Sequence, residues 1–252
     1  MTDPVTRFPG LSRLTPARVR LDARAGPVPM RDLLAFQEDH AAARDVIHSS
    51  ADWQAIARDL APLDSIQVSS RAQGRAEYLR RPDLGRRLAP GQDLPCGNPP
   101  LVVVLADGLS AQALDRHGAA VVHALAARLP ELARQPVVLA SGARVALGDD
   151  IGAAMGAGMV LVLIGERPGL TVADSLGAYL TMAPRPGLRD NARNCVSNIH
   201  DRGGLSHDRA ADRLSWLITA ARNLGQTGIA LKDGSADALP LDDPHPGSLT
   251  GD

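Results

Sequence analysis

Between Met30 and about Leu94, apolar residues recur three and four positions apart, the spacing that gathers them on one face of an α-helix. Met30, Leu33, Leu34, Phe36 and Gln37 open an amphipathic run that continues through His40, Ala41, Val46 and Ile47. Ser50 or Asp52 is placed to cap a second helix carrying Trp53, Ile56, Ala57 and Leu60, which Pro62 ends. A third run starts near Ser69 and Ser70 and carries Tyr78 and Leu79; Pro82 opens one further helical turn. Strand character in this region is confined to residues 66–68.

The segment LPCGNPP (94–100) marks a change of pattern. Beyond it, short continuous apolar runs alternate with helical ones: LVVVLA (101–106) before a helix over 110–129, PVVLA (136–140) before a helix through Ile151 to Met155, then MVLVLIG (159–165) and GAYLTMA (177–183), a helix over 206–224, and GIALK (228–232). Apolar strands separated by helices predict a sheet covered on both faces. The fold class expected is α/β: a doubly wound, mostly parallel, Rossmann-like sheet with an N-terminal helical region. Residues 30–98 form that helical region and 99–233 the sheet domain. Residues 1–29, rich in Pro, Gly and Arg without periodicity, read as a flexible arm. Residues 234–252, with Pro240, Pro244 and Pro246, read as a disordered tail.

Composition narrows the function classes. With 252 residues the chain builds one or two domains with a sizeable core. A formal charge of −1 argues against a basic nucleic-acid binder, and six scattered aromatics offer no base-stacking platform. Two cysteines, Cys96 and Cys195, are too few for a disulfide framework and suit a reducing, cytoplasmic setting. The N-terminus lacks the apolar run of a secretory signal, and the longest apolar stretch, 151–164, is broken by glycines and too short to span a bilayer. No membrane and no nucleic-acid partner is expected.

In wound sheets, ligands sit beyond the carboxyl ends of the strands. Four strand-end segments therefore matter: Asp107-Gly108-Leu109-Ser110, Ser141 to Val145, Gly165 to Gly169, and Pro184 to Gly187. Asp107 and Ser110 read either as a turn with an N-cap or as the ligand and nucleophile of a metal-dependent phosphatase-like hydrolase. The hydrolase needs further Asp and His ligands on later strand ends, and none of the seven histidines stands in such a setting. No GxGxxG follows the first strand and no GxxxxGK[ST] occurs. Gly152, Gly156 and Gly158 precede a strand and read as close packing and a tight turn. Cys195, among Asn191, Asn194 and Asn198, reads as a neutral loop residue packing on a ligand. Arg71 to Arg87 holds six arginines against Glu77 and Asp83, a surface for phosphate, nucleic acid or an acidic partner subunit. His40 and Arg44 share one helical face, which reads as solvated or subunit-contacting.

These segments together resemble one family, the light chain (small subunit) of ethanolamine ammonia-lyase. The resemblance rests on VVVLADGLSAQAL (102–114), VALGDDIGAAMGA (145–157), LIGERPGL (163–170), RNCVSNIHDRGGLS (193–206) and GIALKD (228–233). FQEDHAAARDVIH (36–48) and SSRAQGRAEYLRRPDLGRRL (69–88) add to it; GERPG and RNCxSN are specific as a pair. It covers about 30–233. It implies one chain of an adenosylcobalamin-dependent lyase that converts ethanolamine to acetaldehyde and ammonia by a radical mechanism, in a higher-order hetero-oligomer. The large subunit, a β/α barrel, is then the partner and holds the substrate pocket. Carried over by motif position, the cobalamin contacts of this chain fall at Val145, Glu166 and Cys195, with Arg144 and Arg167 beside them, and no catalytic residue is expected here. A histidine replacing the cofactor's own base calls for Asp-x-His-x-x-Gly; Asp115-Arg116-His117-Gly118-Ala119-Ala120 carries Ala120 at the final position and lies in a helix. A base-on cofactor with no cobalt or other metal ligand from this chain follows. The long N-terminal segment leaves housing in a bacterial microcompartment open. An assembly protein without a ligand is the third reading.

Overall fold

In the computed structural model, residues 30–235 are described; the arm expected over 1–29 and all but the first two residues of the tail expected over 234–252 lie outside the described residues. The helical pattern of the first third yields α1 (Met30–His48), α2 (Trp53–Asp59) and α3 (Arg75–Arg80), with β1 (Ser65–Ser69) between the last two. Asp52 supplies the cap of α2, its carboxylate accepting the Ala55 N–H at 3.0 Å. In α1 only Ala43 is buried, and Met30, Leu34 and Phe36 stand exposed.

Beyond residue 100 come β2 (Val102–Ala106), α4 (Ala111–Arg128), β3 (Val137–Ser141), α5 (Leu147–Met155), β4 (Met159–Gly165), β5 (Leu176–Met182), β6 (Arg193–Ile199) and α6 (His207–Leu224). The six strands form one sheet in the order β1-β3-β2-β4-β5-β6. The fold is α/β, as expected. β1, β3, β2 and β4 are parallel; β5 runs antiparallel to β4, and β6 antiparallel to β5. A parallel return needs a crossover of about a dozen residues or more, usually helical. The 166–175 and 183–192 connections are shorter and hold no α-helix, so the chain turns back on itself twice.

Three expectations change with this topology. Residues 184–187 follow an antiparallel strand and lie at the edge opposite the carboxyl ends of β2, β3 and β4. Cys195 is not on a loop: it lies within β6, paired with Tyr179 of β5. The amides around it belong to an edge strand with one face uncovered by helices, which needs no apolar alternation there. GIALK is not a strand: Gly228–Ala230 is a single 3₁₀ turn and Ile229 is 81% exposed.

The two faces of the sheet are packed unequally. Leu105, Leu139, Leu161, Leu163, Leu180 and Val196 point to one face, where α4 and α6 bury Leu114, Val121, Leu125, Leu214 and Ile218. The other face presents Val104, Ala140, Val160, Val162 and Ile164 to Leu147, Ile151 and Met155 of α5. This second core contains no fully buried side chain of β5 or β6, and only a partly buried Tyr179 packs on it. One helix is too narrow to cover six strands, so the β5–β6 part of this face is left for something else. The glycines of α5 serve packing: a Cβ on Gly152 would fall 2.4 Å from Pro184, and Gly156 is the left-handed C-cap at φ 68°.

Candidate functional site

The carboxyl ends of β2, β3 and β4 are tied together before any ligand is considered. Asp107 is buried after β2, and its two oxygens accept the N–H groups of Gly142 and Ala143 after β3, each at 3.0 Å. Burial pushes its carboxyl up, while those N–H bonds and Arg75 at 3.8 Å oppose the rise. Ser110 is fully buried, caps α4 through the Ala113 N–H at 3.1 Å and donates its hydroxyl to the Ala173 carbonyl at 2.8 Å. Both side chains are occupied in holding turns, so the turn-and-cap reading describes them. Gly108 adopts φ 54°, and a Cβ there would sit 2.2 Å from the Gly165 carbonyl, which lets the β2 and β4 ends touch.

Arg144 and Val145 leave β3 at the start of α5. The Arg144 N–H donates to the Gly85 carbonyl at 2.8 Å, and its guanidinium lies 4.3 Å over the Tyr78 ring. Tyr78 is fully buried and donates its hydroxyl to the Ala143 carbonyl at 3.1 Å; burial pushes its pKa up to about 12, so it stays a phenol. Residues 78–86 thereby form a wall beside the strand ends.

Glu166 follows β4. Its Oε2 accepts the Ser175 hydroxyl at 2.6 Å and the Asn198 N–H at 3.4 Å. Pairing between β5 and β6 shifts register between Leu176 and Ala178, and Asn198 sits in that irregularity at φ 61°. Such a bulge re-aims backbone groups; here it brings the Asn198 N–H to Glu166. Oε1 is left with no hydrogen bond among the described residues. Gly177 makes room for it, since a Cβ there would lie 2.8 Å from that oxygen.

On the open part of the sheet, Tyr179 and Cys195 stand side by side. Desolvation by the surrounding protein pushes the Cys195 thiol above its usual range although the residue keeps an exposed surface; Glu166 pushes it the same way and Tyr179 opposes. Desolvation also raises Tyr179 strongly. The floor beside them is an ion pair. Arg193 of β6 and Asp149 of α5 meet through two bonds of 2.6 and 2.7 Å, with side-chain exposures of 2% and 1%. Arg193 also donates to Thr181 at 2.9 Å.

Two adjoining depressions result, of about 300 and 310 Å³. Arg144, Val145 and Cys195 line the first with Arg86 and Arg193; Arg144, Val145, Glu166 and Arg167 line the second; Tyr179 borders both. All five residues singled out in the sequence thus face one continuous concavity. Tyr179 and Arg193 were missed, and Arg86 was read only as part of the 71–87 arginine stretch. Tyr179 lies in an expected strand, but only the pairing of β5 with β6 shows that its face is open. Within the 71–87 stretch, most arginines serve the fold: Arg75 donates to the Ile47 and Gly108 carbonyls, Arg81 pairs with Asp83, and Arg87 with Asp150. Arg86 makes no ion pair among the described residues and lines the first depression.

Comparison with known proteins adds a family. The family model described as ethanolamine ammonia-lyase light chain (EutC) matches residues 6–232, which extends the likeness well upstream of Met30. A protein of Rhodopseudomonas palustris named "Ethanolamine ammonia-lyase small subunit" is 53% identical over 236 residues, covering 89% of each chain. Proteins of the same name from Bradyrhizobium diazoefficiens and Rhodococcus erythropolis are 50% and 44% identical, covering 95% and 94% of this chain and 97% and 94% of their own.

Proposed function

This chain belongs to the ethanolamine ammonia-lyase light-chain family, and from that premise we propose that it is the small subunit of that lyase, closing one side of a cobalamin site whose substrate pocket lies on the large, barrel-shaped subunit. The observation that carries the reading is the gathering of Arg144, Val145, Glu166, Arg167 and Cys195 on one concave face.

The donor set suits a corrinoid with amide arms, a ribose and a phosphate. The Glu166 oxygen held by Ser175 and Asn198 is fixed in place, and the other is free to accept from an amide or hydroxyl. Arg86, Arg144 and Arg167 offer donors to phosphate or carbonyl oxygens. Val145 and the Tyr179 ring supply apolar contact. Each depression lies at the small end of the roughly 300–1,000 Å³ typical of ligand pockets. A corrinoid exceeds that, so this chain covers part of it and another chain covers the rest. When bound, adenosylcobalamin supplies the radical chemistry; these residues hold and orient it. His117, in the Asp115-Arg116-His117 run, faces α6 across the opposite face of the sheet, which supports a cofactor that keeps its own base. Among the described residues no helix is long and apolar enough to cross a membrane.

The test is reconstitution. The chain purified with its large-subunit partner should bind adenosylcobalamin and release acetaldehyde from ethanolamine. A pair that does neither overturns the reading.

A further inference from the structure

Away from the concave face, two imidazoles and a carboxylate converge where α4, α6 and the loop after β6 meet. His117, in the middle of α4, is 1% exposed. Its Nδ1 lies 2.9 Å from Nε2 of His207, the first residue of α6, and the ring centroids are 5.1 Å apart at 50°. Asp201 follows β6. One ligand atom from each of the three residues falls within 4.8 Å of the other two.

We propose that His117, Asp201 and His207 form a site for a divalent transition metal of the zinc class, joining α4 to the head of α6 and to the 200–206 loop.

Two observations carry this. First, the donors suit the ion: two imidazoles and one carboxylate are a common zinc set, with a fourth position left to water on the exposed Asp201 side. Zn–N distances of about 2.0–2.1 Å in a tetrahedral site place two nitrogens about 3.3 Å apart. The present 2.9 Å needs an adjustment of a few tenths of an ångström. Second, the protein alone leaves the cluster unfinished. The Asp201 carboxylate makes no hydrogen bond or ion pair among the described residues. The neighbouring charges are committed elsewhere, since Arg116 and Arg202 both bind Asp174. In sequence these residues look unrelated, separated by 84 and 6 positions; only the α4–α6 packing and the unforeseen β6 bring them together.

The ion would be structural. The loop it fixes follows directly from Asn198, whose N–H meets Glu166, but the site lies on the other face of the sheet from the concavity.

The full chain, untagged and stripped with chelator, is titrated with Zn²⁺ and separately with Co²⁺. One retained equivalent of zinc, a raised Tm and a visible d–d absorption for Co²⁺ are expected. His207→Ala and Asp201→Ala, both at the surface side of the cluster, should each weaken binding at least tenfold and change the Co²⁺ spectrum while leaving far-ultraviolet circular dichroism intact. Retention of less than stoichiometric zinc overturns the proposal, as does binding that neither variant alters. Cofactor binding and acetaldehyde release play no part in these readouts, so failure here is separate from failure of the functional reading above.

Discussion

The two faces of the sheet differ in what their residues are free to do. The face under α4 and α6 is sealed by leucine, valine and isoleucine from five strands, and its helices carry matching apolar stripes. The face under α5 is sealed over β1, β3, β2 and β4, and over β5 and β6 it ends in Tyr179, Cys195 and a buried ion pair. The lesson is that one short helix on a six-stranded sheet leaves a wall of fixed backbone without a cover. A rigid wall of that kind can hold a ligand in place, because its side chains are already ordered by the strands beneath them.

The seam between sealed and open areas should be the most sensitive place. Asp149→Ala leaves the Arg193 guanidinium buried without its partner, which should cost about 3–5 kcal/mol of folding stability. Denaturant unfolding measures it, and a loss under about 1 kcal/mol would mean the pair does not hold α5 to β6. On the sealed face, Leu161→Ala should cost about 2–5 kcal/mol through lost burial and a cavity. Below its unfolding transition it should leave cofactor affinity unchanged; a matching drop in affinity would erase the contrast between the faces.

Glu166→Ala should do the reverse. It removes a partly exposed carboxylate, so stability should change little, while cofactor binding to the two-chain enzyme weakens by about 1–3 kcal/mol, the scale of a hydrogen bond to a charged group. Equilibrium titration with adenosylcobalamin checks it. Glu166→Gln keeps an acceptor and should recover part of the loss.

Cys195 provides the mildest probe. Its thiol is raised, so the fraction ionised at a given alkaline pH is smaller than for an ordinary thiol, and alkylation should reach half its limiting rate above the usual pKa of about 8.5. The same sign applies to stability. The folded state keeps its proton to higher pH than the unfolded one, so this contribution is present below the ordinary thiol pKa and is lost as pH rises toward the folded value. Mass mapping of alkylated peptides across pH separates Cys195 from Cys96, and bound cofactor should slow modification at Cys195 alone.

The strands β2, β3 and β4 and the helices α4 and α6 were legible because burial on both sides forces continuous apolar runs, and because Ser110 and Ser206 cap their helices as their positions suggest. Val145 and Glu166 were legible as the residues just past such strands. β6 was not, since an edge strand with one uncovered face has no reason to be apolar on that side, and its asparagines read as a loop. The extent of the likeness at the N-terminal end was also underestimated, as the family match begins at residue 6.

By itself the sequence determined the fold class, the family and the short list of residues with chemistry to offer, because periodicity and local motifs are properties of neighbours along the chain. Strand direction in β5, the open face beside Tyr179 and Cys195, the Arg193–Asp149 seam and the meeting of His117 with His207 were decided only in three dimensions. Each depends on which distant segments pack together, and a chain that turns back twice at one edge of its sheet has many local patterns consistent with either outcome.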